Sequence, residues 1–306
     1  MRKFREIKSD LSILFCLAGE MVSMKGEDSY CYGCRNGKTL VSVFDGCGGS
    51  GSRRYENYTG LTGAYVASRA VAGVVQSWFE TENGNPESLP GYIKRALSVC
   101  DAFGDKSGRL LGSLGLSFPT TAAGILAETD GKKLQVDCFW AGDSRCYMLD
   151  DTGLHQLSLD DVDCKDAYSN LSGDGALTNV ISMNDDYRLN IKNISVKMPC
   201  ILFTATDGCF AYMKTPMDFE YMLLETLLCA ESIQAWKTSL NERILEFAGD
   251  DHTLCLAAFG FESFEAVKQY YTERAKYMYK TFVQNAGNTE NDWKKYERDY
   301  YRYNRT

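Results

Sequence analysis

Short apolar runs recur along the chain at 12–17, 29–32, 39–44, 122–127, 134–141, 145–149, 191–196, 201–205 and 253–259, each bounded by Gly, Asp or Asn. They are rich in Val, Ile, Phe, Tyr and Cys, side chains that suit a pleated, half-buried surface, and each predicts a strand. Asp130-Gly131 separates two of them and Gly153 follows another, so hairpin turns are expected at both places. Consecutive hairpins favour antiparallel sheets. Between the strands the apolar spacing lengthens to three and four over "TGLTGAYVASRAVAGVVQSWFE", "SLPGYIKRALSVCDAF", "MDFEYMLLETLLCA" and "SIQAWKTSLNERILEFA", which predicts helices in two pairs. The expected class is α+β: a layered sandwich of antiparallel sheets face to face, with the helix pairs outside.

Beyond residue 261 the pattern changes. Val267, Tyr271, Ala275, Met278 and Phe282 keep helical spacing, and after "NAGN" the residues Trp293, Tyr296 and Tyr300 form a second stripe, opened by a capping-box match at Thr289 and Asp292. Residues 1–261 are therefore read as one domain and 262–306 as a C-terminal helical extension. A helical hairpin packed on the domain is the preferred reading. A partner-docking arm is the alternative, because aromatic stripes also seat helices in grooves. At the start, "MRKFREIKSDLSILFCLAG" joins basic residues to an apolar stretch, as signal peptides do. The stretch is short, contains Ser12 and lacks a small-residue cleavage pattern, so an edge strand is expected instead. No run approaches the roughly 18 uninterrupted apolar residues of a membrane span.

Composition narrows the function. With 306 residues, 44% hydrophobic and 24% charged, the chain can bury a substantial core. A net charge of −8 argues against a general nucleic-acid binder, because phosphate backbones select basic surfaces. Twelve cysteines are scattered and mostly lie in apolar runs (Cys16, Cys138, Cys200, Cys255), which reads as buried thiols in a reducing cytoplasm. Cys31 and Cys34 have C-x-x-C spacing but no second pair, so zinc is not expected. The two histidines, His155 and His252, leave little room for histidine-based metal or triad chemistry. A cytoplasmic monomer with no membrane or nucleic-acid partner is expected.

Four acids stand at strand ends. Asp45 and Asp207 each close an apolar run and precede a glycine, Asp143 ends "VDCFWAGD", and Asp250 precedes "HTLCLAAF". In an antiparallel arrangement such ends can meet at one sheet edge. Converging carboxylates repel one another, and a cluster of this kind usually holds a hard divalent cation through oxygen ligands. Gly46, lacking Cβ, would let its carbonyl approach the ion.

In order, "GEDS" (26–29), "VFDGCGG" (43–49), "FPTTAAG" (118–124), "WAGDSRCYML" (140–149), "ALTNVI" (176–181), "FTATDGCF" (203–210) and "GDDHTLCLAAF" (249–259) resemble the metal-dependent serine/threonine protein phosphatases of type 2C, the PPM family. The resemblance spans about residues 10 to 261. It implies a central antiparallel β-sandwich flanked by paired antiparallel helices (α-β-β-α), a centre of two Mn²⁺ or Mg²⁺ ions, and phosphoserine or phosphothreonine proteins as substrates. Carried over, Asp45 would bridge the metals, the Gly46 carbonyl would bind one, and Asp207 and Asp250 the other. Glu27 would complete the site directly or through water with Asp28 beside it, and Asp143 would support a third, weaker ion. Two such ions lower the pKa of a bridging water and neutralise phosphoryl oxygens, so no nucleophilic side chain is needed.

Departures from the family pattern bear on activity. Cys47 replaces a histidine in the glycine loop, Ser23 replaces a phosphate-binding arginine, and Ala211 stands where a second acid is common. The acidic "LSLDDVDCKD" would form the flap at the edge of the substrate groove. Ser23, Lys25 and Glu27 alternate, so on an extended segment Lys25 would share the face of Glu27 and contact phosphate; Arg53 and Arg54 are competing candidates. The alternative to an active phosphatase is a catalytically weak relative acting as a regulatory binding module.

Overall fold

The computed structural model describes residues 10–82, 84–104, 116–131, 133–163, 166–171, 176–183, 186–284 and 289–305. The "NAGN" segment and residues Cys164 and Lys165 of the expected flap lie outside them. In chain order the elements are β1 (Leu11–Gly19), β2 (Ser29–Arg35), β3 (Lys38–Phe44), β4 (Arg54–Tyr55), β5 (Leu61–Thr62), α1 (Gly63–Thr81), α2 (Leu89–Phe103), β6 (Ala122–Asp130), β7 (Lys133–Ala141), β8 (Arg145–Asp150) and β9 (Gly153–Gln156). There follow α3 (Ala167–Asn170), β10 (Asn190–Lys197), β11 (Cys200–Ala205), α4 (Pro216–Cys229), α5 (Ile233–Leu245), β12 (His252–Phe259), α6 (Phe264–Met278) and α7 (Thr289–Tyr300). A π-helical turn, Tyr279–Gln284, extends α6.

Two five-stranded antiparallel sheets, ordered β1-β12-β11-β8-β9 and β10-β7-β6-β3-β2, lie face to face. Side chains alternate across each strand and both faces are covered, which is why the strands read as continuous apolar runs. Val41, Val43, Ile125, Val136 and Cys138 of one sheet meet Cys146, Met148, Leu202, Cys255 and Ala257 of the other. The alternate residues point outward: Leu40, Phe44, Leu126 and Phe139 pack under Val71, Val75, Trp78, Ile93 and Leu97 of α1 and α2. On the opposite outer face Phe15, Tyr147, Phe203 and Leu256 pack under Phe219, Leu223, Trp236 and Leu240 of α4 and α5. Among the described residues β1 pairs only with β12 and is an edge strand. Among the described residues no helix is long and apolar enough to cross a membrane.

Val267, Tyr271 and Met278 of α6 and Trp293, Tyr296 and Tyr300 of α7 belong to that second outer core. Thr289 opens α7 rather than preceding it, and its hydroxyl meets the Tyr168 hydroxyl at 3.1 Å. A buried carboxylate ties the two helices to the sandwich. Glu220 of α4 accepts from Arg274 Nε (2.5 Å) and Nη2 (3.0 Å), from the Leu154 amide of β9 (3.1 Å) and from the Tyr296 hydroxyl. Removing one partner of a buried ion pair strands the other charge, which typically costs about 3 to 5 kcal/mol. Glu220→Ala is accordingly expected to lower the unfolding free energy by an amount in that range, read in denaturant titration as a lower midpoint at unchanged slope, and a midpoint within experimental error of wild type would contradict the assignment.

Candidate metal centre in a carboxylate cleft

Asp45 follows β3, Asp143 ends the turn after β7, Asp207 follows β11 and Asp250 precedes β12. The sandwich brings all four, with Gly46, into the lining of one cleft of about 620 Å³. The glycine loop 46–49 with Ser50 forms one side; Arg145, Asp160, Asn170, Leu171, Phe210 and Tyr212 complete the walls. Backbone bonds hold the aspartate ends. The Asp45 carbonyl accepts from the Thr121 amide (2.7 Å) and the Thr120 hydroxyl (2.8 Å). The Asp207 carbonyl accepts from the amides of Phe210 (2.9 Å) and Ala211 (2.7 Å). A Cβ on Gly46 would stand 2.7 Å from the Ala64 carbonyl oxygen and 2.8 Å from that of Glu27, closer than real Cβ atoms come. The loop can lie under α1 only because this residue is glycine.

Glu27 and Asp28 sit beside the cleft rather than among its lining residues. Asp28 accepts from the Thr206 hydroxyl at 2.8 Å, and the same hydroxyl accepts from the Thr253 amide at 2.9 Å. Glu27 accepts from the Thr62 hydroxyl at the start of α1, and its amide donates to Asp251 at 2.8 Å. Lys25 is exposed and does not line the cleft. Met24 adopts φ 61° and the Lys25 amide bonds the Val22 carbonyl (3.0 Å), so this stretch is a turn. The extended alternation that would carry Lys25 onto the face of Glu27 is not formed. Arg53 lies 4.7 Å over the Tyr55 ring, Arg54 donates to the Gly60 carbonyl (2.8 Å), and neither lines the cleft.

Burial and mutual repulsion raise the acids together. Burial pushes Asp45 well above the ordinary carboxylate range, with the charges of Asp207, Asp28, Asp143 and Asp250 adding to it. Asp143 is pushed up to about 8, first by burial and then by Asp207 and Asp160. Asp207 rises to about 6 and Asp28 to about 7, again with burial as the leading cause. Glu27 and Asp250 shift in the same direction for the same reason. Among the described residues, Oδ1 of Asp143 and Oδ1 of Asn170 in this cleft are buried with no hydrogen-bond partner. Buried anions of this kind need a counter-charge.

The donor set is all oxygen, which suits a hard cation such as Mn²⁺ or Mg²⁺. Among the described residues no three His, Cys, Asp or Glu side chains close in tightly enough to enclose an ion by themselves. That spacing is compatible with carboxylates shared between ions whose remaining positions are filled by water and a backbone carbonyl. The Cys47 thiol is pushed well up by burial and by Asp45, Asp143 and Asp207, so as it stands it is a protonated thiol rather than a reactive thiolate.

Sequence reasoning passed over the cation of the cleft. Arg145 is buried and holds Asp160 with Nε (3.0 and 3.1 Å) and Nη2 (2.6 Å), lies 4.1 Å over the Phe210 ring, and donates through Nη1 to the Tyr147 hydroxyl (3.1 Å). Its signal was its position two residues after Asp143; nothing local singled out Asp160 as its partner. Asp251 was passed over as well. It accepts from the amides of Met21 and Glu27, both at 2.8 Å, and so fixes the loop that carries Glu27 and Asp28.

No protein-family model matches the chain, and no curated protein matches it in sequence. Solved structures do match in shape. The Mycobacterium tuberculosis serine/threonine phosphatase PstP/Ppp superposes with a TM-score of 0.58 at 18% identity, over 81% of this chain and 99% of its own. The PstP catalytic domain in complex with two manganese ions gives 0.54 at 18% identity, over 81% and 98%. The PPM Ser-Thr phosphatase MsPP from Mycobacterium smegmatis, in complex with cacodylate, gives 0.56 at 13% identity, over 82% and 99%. The chain has the fold of the PPM serine/threonine phosphatases.

Proposed function

We propose that the protein is a metal-dependent phosphatase that hydrolyses phosphoserine or phosphothreonine in proteins. The observation that carries this reading is the cleft of converging, mutually repelling carboxylates, Asp45, Asp143 and Asp207 half-buried and Asp250 exposed, set in this fold. Two Mn²⁺ or Mg²⁺ ions, with a third at Asp143, are the group that fits. Asp45 is assigned as the shared ligand, the Gly46 carbonyl, Asp207 and Asp250 as further ligands, and Glu27 and Asp28 as supporting acids. When bound, such ions offset phosphoryl charge and supply a water of lowered pKa as nucleophile.

The protein's own part is positional. Thr120 and Thr121 anchor the Asp45 backbone, Thr206 holds Asp28, and Thr62 and Asp251 hold Glu27. One observation favours the alternative of a regulatory binding module. Arg145, the one basic residue among the described residues lining the cleft, has its guanidinium fork taken by Asp160. Phosphate would then be held by the ions rather than by an arginine.

Three outcomes are expected. Asp207→Asn removes a charge while keeping shape, so Mn²⁺-dependent hydrolysis of para-nitrophenyl phosphate should fall by at least about 10²-fold with an unchanged circular dichroism spectrum. Wild-type turnover in that variant would refute the metal role of Asp207. Gly46→Ala forces the loop off the Ala64 and Glu27 carbonyls and should lower both thermal stability and Mn²⁺ affinity, measured by calorimetry; unaltered affinity would show that the loop does not shape the site.

The third concerns pH. An unfolded Asp titrates near 3.8, whereas in the fold Asp207, Asp28 and Asp143 titrate at about 6, 7 and 8. Between these limits the metal-free native state binds more protons than the unfolded state, so its stability falls as pH rises. The Tm in chelator should therefore drop from pH 5 to pH 8, and the gain in Tm on adding Mn²⁺ should widen over the same range. A chelated Tm that climbs with pH would overturn the placement of these acids.

A further inference from the structure

Among the residues lining the cleft are two stretches that are held in different ways. Residues 159–161 are tied to the sheet itself: the Trp140 indole donates to the Leu159 carbonyl (2.7 Å), and the Asp161 amide donates to the Gly142 carbonyl (2.9 Å). The second stretch is α3, with Asn170 and Leu171 lining the cleft. Four helical residues cannot sustain themselves, since a helix of that length is all nucleus and no propagation.

What holds α3 comes from the far end of the chain. The Trp293 indole N–H donates to Asp166 Oδ1 (3.0 Å), while Oδ2 of the same carboxylate accepts from the Ser169 amide (2.8 Å) and so caps α3. The Tyr301 hydroxyl accepts from the buried Ala167 amide at 2.6 Å. The Tyr168 ring stacks on that of Trp293, with centroids 6.2 Å apart. Below α3, Asn170 Nδ2 reaches Asp160 (3.3 Å), the partner of Arg145. From the other side the Tyr300 hydroxyl meets the Tyr147 hydroxyl (3.3 Å), which accepts from Arg145. The C-terminal helix thus reaches the cleft by two routes that meet at the Arg145–Asp160 pair.

We propose that α7 and Tyr301 act as an intramolecular positioning element for substrate: they hold α3 so that Asn170 and Leu171 form the wall against which the chain flanking a phosphorylated residue lies. The proposal rests on the phosphatase reading for its substrate and on geometry alone for its clamp. A small aryl phosphate needs only the carboxylate end of the cleft. A phosphopeptide also needs the wall. Trp293 and Tyr301 therefore affect the extended substrate and spare the small one.

The test is the double variant Trp293→Phe, Tyr301→Phe in the full chain, which leaves an aromatic ring at each position, the one at 293 smaller than the indole, and removes the donor to Asp166 and the acceptor for Ala167. Hydrogen exchange on metal-free protein is the first measurement. Amides of 166–171 are expected to exchange about tenfold faster, the loss of one or two buried hydrogen bonds, while those of 159–161 and of α1 stay as in wild type. Kinetics of the Mn²⁺-loaded protein are the second. KM for a phosphothreonine peptide is expected to rise at least about fivefold, with kcat and the kcat/KM for para-nitrophenyl phosphate within about twofold of wild type. Unchanged exchange at 166–171, or faster exchange spread evenly over the protein, overturns the clamp. Faster local exchange with the two substrates affected equally overturns the substrate role. A wild-type protein inactive on both substrates would refute the phosphatase reading and, with it, the substrate role, while the exchange result would still decide the clamp.

Discussion

Asp45, Asp143 and Asp207 enter the cleft from the ends of the sandwich's inner strands. The strands that deliver Asp45 and Asp207 are buried almost throughout, so the backbone that carries each carboxylate is fixed at the cleft. Several like charges in a low-dielectric corner are unstable unless they are protonated or neutralised by a cation. The rest of the molecule is organised around that conflict. Two sheets covered on both outer faces give strand ends stiff enough to keep repelling groups together, and threonine side chains and backbone amides hold the aspartate backbones in place. A looser scaffold would let the acids separate.

Arg145 and Asp160 form a net-neutral pair in the same wall and so leave this excess of negative charge in place. The pair is fully buried and bidentate, and its charges reach both Asp143 and Asp207. It is also where the C-terminal helices come closest to the cleft, through Tyr300 and Tyr147 on one side and α3 and Asn170 on the other. Residues more than a hundred positions apart in sequence thereby bear on one side of the cleft. Glu220 has a similar place in the outer core, where a single carboxylate gathers Arg274, Tyr296 and Leu154 from three elements.

The glycine loop shows how little freedom the site leaves. Gly46 is wedged against the carbonyls of Ala64 and Glu27, so a requirement of packing and a place in the lining of the cleft fall on the same residue. The exposed turn at 21–25 has the opposite character. Asp251 clamps its base through Met21 and Glu27, while Lys25 between them is exposed and outside the lining of the cleft.

The strands, their antiparallel pairing, the helix pairs and the four strand-end acids were readable from the chain because each depends on local period or on a residue's place at the end of a run. β9 and α3 were not. β9 has four residues and borrows its order from β8 and from the C-terminal segment, and α3 depends on Trp293 and Tyr301. The alternation of Ser23, Lys25 and Glu27 misled for a related reason: period two means a shared face only in a strand, and a positive φ at Met24 makes this stretch a turn. Sequence by itself determined which residues are apolar, where the chain turns and which acids stand at strand ends. Only the tertiary structure decided that Arg145 is spent on Asp160, that Asp251 fixes the Glu27 loop and that the last helix braces the wall of the cleft, because each of those contacts joins residues whose local sequence carries no trace of the partner.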